Sequence, residues 1–492
     1  MAARGTNSRS VTSSVDGDPP AQPLGVWRTR LAILAVGSGL LVQFIDSTAL
    51  STALPTLAQA FGADPVHLKL TLTCYMLIQA AVVPASGWAA DRFGARRVFV
   101  TALFVFMTGS ILCGLSRSLG TLVLFRIVQG AGAAMCVPVG RMIVVGATPR
   151  ENLVKSMILL TTPAMVGPLL GPPLTGFILE VADWPWIFYI NVPICLLGMA
   201  AVAAFVPKIV QPSPGRFDYL GFLYAGAAIL ASTAVLETLG FDLVPWQAQV
   251  GVAILGAAAT IAFLRHARRH PRPILDLSLL QIPSFRASLV GGVFVRIAFG
   301  AQPFLVPLLL QVALGWSALK AGSVMVAGAV GSLCIRLAAP TIIRLLGFRS
   351  TLIFATCGYA VVLLVPPFLR QSTPTWAIFV LLLVQGMFGA TMFTALNTVA
   401  YAETDNAIVN RASTLYAVVQ QVSLSLGVTA GALLLQLARL AVGDELTPRR
   451  FLLPFCVLAL SLLCGLPFFR RLSPETGADM RGQPRRTPIR VQ

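Results

Sequence analysis

Fourteen stretches of this sequence are apolar over roughly the 20 residues that a helix needs to cross a bilayer. They lie near 31–55, 68–90, 97–116, 121–146, 155–181, 185–207, 217–239, 247–265, 286–311, 319–343, 350–369, 374–400, 408–437 and 451–469. In lipid each backbone must satisfy its own hydrogen bonds, so a chain of this kind folds as a bundle of membrane-spanning helices. Only 11% of its residues are charged, against about 25% in a soluble domain. The plentiful glycine and proline fall inside apolar runs, as membrane helices tolerate. The even number of spans predicts both termini on one side.

Charge selects that side. The formal net charge of +18 invites a nucleic-acid reading, but the basic residues sit in short loops between spans. Twenty-five of the 36 Lys and Arg fall on the side of the termini, seven on the other, among them Lys69, and four within spans. This asymmetry predicts cytoplasmic termini in a cell inner (plasma) membrane, and no nucleic-acid partner. Residues 1–30 read as a disordered cytoplasmic N-terminus, and 471–492 as a basic cytoplasmic tail. The first apolar run is too long for a signal peptide and contains an acid. All eight cysteines lie inside apolar runs, without CxxC or Cys/His clusters. No disulfide, metal site or cofactor is expected. Nor does the chain carry a nucleophile elbow or phosphate loop, so it is not expected to be an enzyme.

An internal repeat predicts the domain plan. DRFGARR (91–97) is echoed by RLLGFRS (344–350), and IVQGAGAAM (127–135) by LVQGMFGATM (383–392), at offsets of 253 and 256 residues. The longest basic connection, 265–276, follows span eight. The expected fold is all-α and integral to the membrane: two pseudo-symmetric six-helix bundles, 31–207 and 286–470, joined through 208–285 by two extra central helices and a basic loop. Bundles related in this way with a site between them form a transporter architecture.

Asp46 is the only acid placed deep in a span; Glu237 reads as close to an outer end. A charge at mid-bilayer costs about 2.5–3.5 kcal/mol and usually faces a cavity or a partner. Asp46 is therefore either fixed glue against a neighbouring helix or a group that exchanges a proton or binds a cation. In span four, Arg126, Gln129 and Gly130 share one helical face, with Arg141 further along. Arg126 either snorkels to the outer interface or holds a carboxylate. In span five, Gly167 and Gly171 form GxxxG, Gly176 follows, and Pro168 and Pro172 bend the helix.

These strings resemble motifs of the major facilitator superfamily. GWAADRFGARR (87–97) resembles its G-x-x-x-D-R-x-G-R-R/K loop, with Ala95 where a basic residue is usual. The resemblance implies a conformational latch formed by Gly87, Asp91, Arg92, Gly94, Arg96 and Arg97. RIVQGAGAAMCVPVGR (126–141) resembles the span-four motif, which implies a role for Arg126 in proton transfer. GPLLGPP (167–173) resembles the antiporter motif G-P-x-x-G-G, with Pro172 in place of its second glycine. IDSTALSTALP (45–55), WPWIFYINVP (184–193), FDYLGF (217–222) and SALKAG (317–322) resemble stretches of the fourteen-span drug:proton antiporter family.

Together they imply a proton-coupled exporter of amphipathic drug-like compounds, with Asp46 as coupling carboxylate and Arg126 as its modulator. The implied partners are a small-molecule substrate, protons and the bilayer, with a periplasmic adaptor and outer-membrane channel as further candidates. Phe44, Tyr75, Arg296 and Gln302 are candidate lining residues of a substrate cavity. A second reading is export of acidic or aromatic metabolites, with Arg296 as ligand, because deep arginines outnumber deep acids. A non-transporting receptor is a third.

Overall fold

A computed structural model describes residues 26–148, 152–206, 217–238, 245–271, 273–403, 408–442, 446–473 and 476. The expectations for residues 1–25 and for the tail beyond 476 lie outside the described residues, as do Arg150, Lys208, Arg216 and Arg272 of the charge count; residues 26–30, expected to be disordered, instead open the first helix, Val26–Phe61. Among the described residues, every regular element is helical, and 14 helices are long and apolar enough to cross a membrane. Spans one to seven are Thr29–Phe61, Lys69–Phe93, Ala95–Gly114, Leu119–Ala147, Lys155–Val181, Trp186–Phe205 and Tyr219–Thr238. Spans eight to fourteen are Trp246–Arg269, Pro283–Ala313, Ala318–Arg336, Thr341–Phe368, Thr375–Ala400, Arg411–Ala441 and Pro448–Arg470. The face where span one begins and span fourteen ends is the proximal face; the other is distal.

Span one was expected to end near Pro55 but continues as helix to Phe61. A proline inside a membrane helix is tolerated when neighbours take up the backbone groups it disturbs. Here Gln311 Nε2 donates to the carbonyl of Thr52, one turn earlier, at 2.8 Å. Spans two and three turn at Gly94, whose φ of 88° is left-handed. Gly347 turns spans ten and eleven with φ 75°. Both glycines supply a conformation that an L side chain rarely adopts, and they are the pair matched by the first sequence echo. Span four opens on a capping box in which Ser118 and Thr121 bond reciprocally.

Small residues set the close approaches. A Cβ at Gly167 would lie 2.5 Å from Phe44 Cβ, and one at Gly171 would lie 2.0 Å from Thr48 Oγ1, so GxxxG in span five docks on span one. Gly176 approaches Leu319 and Gly322 approaches the Pro172 carbonyl, which brings span five against span ten. Other contacts also join spans one to six to spans nine to fourteen in the distal half. Ser51 donates to the carbonyl of Pro303, and Asp64 pairs with Arg439 at 2.6 Å. Nearer mid-membrane, Gln421 Nε2 donates to Gln79 Oε1 at 2.6 Å.

Span seven is fastened to span two at both ends. Proximally, Trp88 packs on Phe217 with ring centroids 4.8 Å apart. Distally, Lys69 and Glu237 form an ion pair. Lys69 was expected in a loop, but it is the first residue of span two and fully buried. Glu237 stands at the distal end of its span, and it too is buried. Two charges that are costly alone become tolerable as a pair.

Candidate functional site: a buried carboxylate among spans one, four and six

Asp46 lies near the middle of span one and is only 2% exposed. Its three hydrogen-bond partners come from two other spans. Arg126 Nη1 of span four donates to Oδ2 at 2.6 Å. Gln129 Nε2, three residues on, donates to Oδ1 at 2.8 Å. Asn191 Nδ2 of span six also donates to Oδ1, at 2.9 Å. Every partner is a donor, an arrangement suited to an ionised carboxylate, which only accepts.

A further layer holds the donors in place. Arg126 also donates to Gln129 Oε1 at 2.6 Å and, through Nε, to the carbonyl of Thr71 at 3.2 Å. Its guanidinium lies over the ring of Tyr75, 4.1 Å from the centroid, a cation–π contact from span two. Asn191 is tied to Ser110 Oγ at 3.0 Å, and Ser110 to the carbonyl of Phe188 at 2.9 Å. The helical spacing makes this possible. Arg126 and Gln129, three apart, present side chains on one face, while Gly130 lets that helix approach the backbone of Tyr75. Arg126 is fully buried rather than at an interface.

The second half repeats the arrangement without its charges. Gln302 stands 256 residues after Asp46, and Gln385 stands 256 after Gln129. Gln385 Nε2 donates to Gln302 Oε1 at 2.7 Å. Gly386, which follows, approaches Gly328 of span ten as Gly130 approaches Tyr75 of span two. Leu382 occupies the position corresponding to Arg126. An acid–amide–arginine cluster in one half thus has an amide pair as its counterpart in the other.

The remaining predicted site residues occupy separate environments. Tyr75 belongs to the Asp46 cluster, whereas Phe44 is 40% exposed. Arg296 is fully buried under the ring of Tyr416, 4.5 Å from the centroid. Arg141 is exposed, about 22 Å along span four from Arg126 at 1.5 Å per residue. It lies near Tyr401 at the proximal face. Burial and Tyr416 push the Tyr401 phenol up to about 12, with Arg141 and Arg296 opposing. At the proximal turn between spans two and three, Asp91 is half-buried with Oδ1 unpartnered, Arg92 and Arg97 are exposed, and Arg96 bonds the carbonyl of Ala203 in span six. Gly87 has open space where a Cβ would stand.

Sequence reasoning missed Asn191, although WPWIFYINVP contains it, and also the Lys69–Glu237 pair. Polar residues in apolar spans are the signal that could have found them.

The profile described as Major Facilitator Superfamily matches residues 36–427, and again 288–491. The candidate multidrug resistance protein MdtD of Escherichia fergusonii is 35% identical over 447 residues, covering 90% of this chain and 94% of its own. The MdtD of Salmonella typhimurium is 34% identical over 458 residues, covering 92% and 97%. Among solved structures, a peptide transporter POT in complex with sulfate superposes with a TM-score of 0.68 at 13% identity, over 91% of this chain and 95% of that one. The human organic anion transporter MFSD10 gives 0.60 at 15% identity, over 92% and 100%. The solved structures establish the fold, and the profile and the MdtD relatives the lineage: this chain is a multi-pass membrane transporter that belongs to the Major Facilitator Superfamily, in its fourteen-span drug:proton antiporter family.

Proposed function

We propose that this protein exports amphipathic drug-like compounds from the cytoplasm in exchange for protons, by alternating access, with Asp46 as the proton-carrying carboxylate and Arg126 as the group that holds its charged form. The observation that carries the reading is the Asp46 cluster, in which three donors from spans four and six converge on one buried carboxylate. A proton arriving on Asp46 removes the charge that Arg126 compensates and turns one acceptor position of the carboxylate into a donor that faces the donors Arg126, Gln129 and Asn191. The cluster must then loosen, and this couples protonation to movement of spans one, four and six. A charge crossing the membrane potential is worth about 2.3 kcal/mol per 100 mV. The names of the MdtD relatives favour drug-like cargo.

The division into residues 31–207, 208–285 and 286–470 fits this cycle. With the proximal face in the cytoplasm, as the basic loops favour, the distal contacts between spans five and ten close the outer side. The proximal loop from Gly87 to Arg97 then acts as the latch that forms when the inner side closes.

A second reading, export of an acidic compound, is favoured by one observation. Arg296 is fully buried, and its Nε and Nη2 lack partners; its Nη1 reaches only the carbonyl of Leu289, at 3.4 Å. A buried cation without a counter-ion is costly, and a carboxylate on the cargo would relieve it.

The test is substrate-induced proton release from inverted vesicles containing this chain alone, followed with a pH-sensitive dye for cationic and acidic compounds. Release by the wild type and none by correctly inserted Asp46→Asn is the expected result. Unchanged release in that variant would make Asp46 structural. Response to acids, lost in Arg296→Gln, would select the second reading. Full activity without added proteins would show that no adaptor is needed.

A further inference from the structure

The proximal ends of the linker spans carry metal-ligating side chains that take no part in the Asp46 cluster. Span eight ends in RHARRH, which places His266 and His270 one turn apart on the same face. Their rings stack with centroids 5.1 Å apart. Asp218, immediately before span seven, brings its carboxylate to the same point, with Oδ1 2.7 Å from His266 Nε2. One nitrogen of each histidine and one oxygen of Asp218 all lie within 4.8 Å of one another. Asp218 is buried and the histidines are half-buried, so the cluster is held by the protein and open to water.

The carboxylate is also oriented from behind. The backbone N–H of Gly221 donates to its Oδ1 at 2.8 Å, and that of Ile274 to its Oδ2 at 3.2 Å. Such outer bonds are what fix a metal-binding carboxylate in direction.

We propose that Asp218, His266 and His270 form a binding site for a late first-row divalent ion, Zn2+ foremost, which staples spans seven and eight together. Two imidazoles and one carboxylate suit Zn2+, Co2+, Ni2+ or Cu2+, whereas Mg2+ and Ca2+ need mostly oxygen ligands. With Zn–N and Zn–O bonds of about 2.0–2.2 Å, tetrahedral donors stand about 3.3 Å apart. The cluster reaches that spacing by rotation of the histidine side chains on a fixed helix. Three protein ligands leave a fourth position for water. For Nε2 of His266 to take the ion, the hydrogen it shares with Asp218 moves to Nδ1, an exchange that water carries at a half-exposed ring. The bonds from Gly221 and Ile274 remain, so the ion also pins the basic loop around residue 274. Arg265, Arg268 and Arg269 are exposed to solvent nearby, and their charge holds the affinity below that of the same ligands in neutral surroundings.

The experiment uses the full chain, purified without a polyhistidine tag, stripped with a chelator, and titrated with Zn2+ and with Co2+ as a coloured probe. One ion per chain is expected, with Co2+ absorption bands lacking thiolate character. His270→Ala should weaken binding at least about tenfold while leaving the Asp218–His266 bond and the start of span seven in place, so a loss there is not a loss of fold. His266→Ala should also weaken binding, though it removes the bond to Asp218 as well, and Asp46→Asn should bind as the wild type does. Absence of stoichiometric binding, or equal affinity in His270→Ala, overturns the proposal. Neither result depends on whether Asp46 carries a proton.

Discussion

Lys69 Nζ lies 3.4 Å from Glu237 Oε2, and both side chains are buried between spans two and seven. Lys69 also donates to the carbonyl of Glu237 at 3.1 Å. Breaking a buried pair strands the surviving charge, at a cost of about 3–5 kcal/mol, whereas replacing both members with apolar groups is often neutral. Glu237→Gln and Lys69→Met should therefore each lower thermal stability in detergent, and Lys69→Met with Glu237→Leu should recover most of the loss. A double variant no more stable than the singles would mean that packing, not charge, holds this junction.

Thr429 of span thirteen donates to the other oxygen of Glu237, so the junction also joins the two halves on the distal side. Distal opening has to separate span thirteen from span two. Thr429→Val removes that arm and keeps the ion pair, and should shift the population toward distal-open. Spin labels at Ala63 and Leu446 in a cysteine-free background would report a longer mean distance. An unchanged distribution would show that the bond does not restrain the gate.

The spans were legible because lipid imposes length and apolarity on every crossing, which leaves a local signature. The turns at Gly94 and Gly347 were legible for a similar reason: a left-handed φ selects glycine wherever it recurs. Asp46 and Arg126 stood out because charge is rare in apolar runs. What sequence did not disclose was partnership. Asn191 bonds Asp46 across 145 residues, and Lys69 bonds Glu237 across 168. No short-range pattern encodes such a pairing. Lys69 was assigned to a loop because a lysine at the start of an apolar run looks like a boundary until the acid that neutralises it is found. The histidines at the end of span eight read as part of a basic loop because Asp218, whose carboxylate meets them, stands 48 residues before His266.

The docking of span five on span one rests on missing side chains. A Cβ at Gly171 would stand 2.0 Å from Thr48 Oγ1. Gly171→Ala should cost about 1–3 kcal/mol as overpacking, and Thr48→Ala should relieve most of it because the obstructing atom is a side-chain hydroxyl. At Gly322 the nearest atom is instead the backbone carbonyl of Pro172. Gly322→Ala should therefore resist rescue by any side-chain change nearby. Melting temperatures of the four variants, in a double-mutant cycle for Gly171 and Thr48, separate these outcomes; equal loss in Gly171→Ala with and without Thr48→Ala would discount the contact.

The two halves make opposite predictions at matched positions. Gln129 donates to the carboxylate of Asp46, while Gln385, its counterpart, donates to the neutral amide of Gln302. Gln129→Ala removes one of the bonds that favour the charged carboxylate, so it should change the protons released per molecule exported, or the pH range over which release occurs. Gln385→Ala removes an interhelical bond worth about 0.6 kcal/mol and touches no ionisable group. It should slow transport modestly and leave the proton ratio as in wild type. Measuring export and proton release together in inverted vesicles gives that ratio directly. If Gln385→Ala altered the ratio as much as Gln129→Ala, the proton would be governed by both halves and the charge asymmetry between them would not locate the coupling.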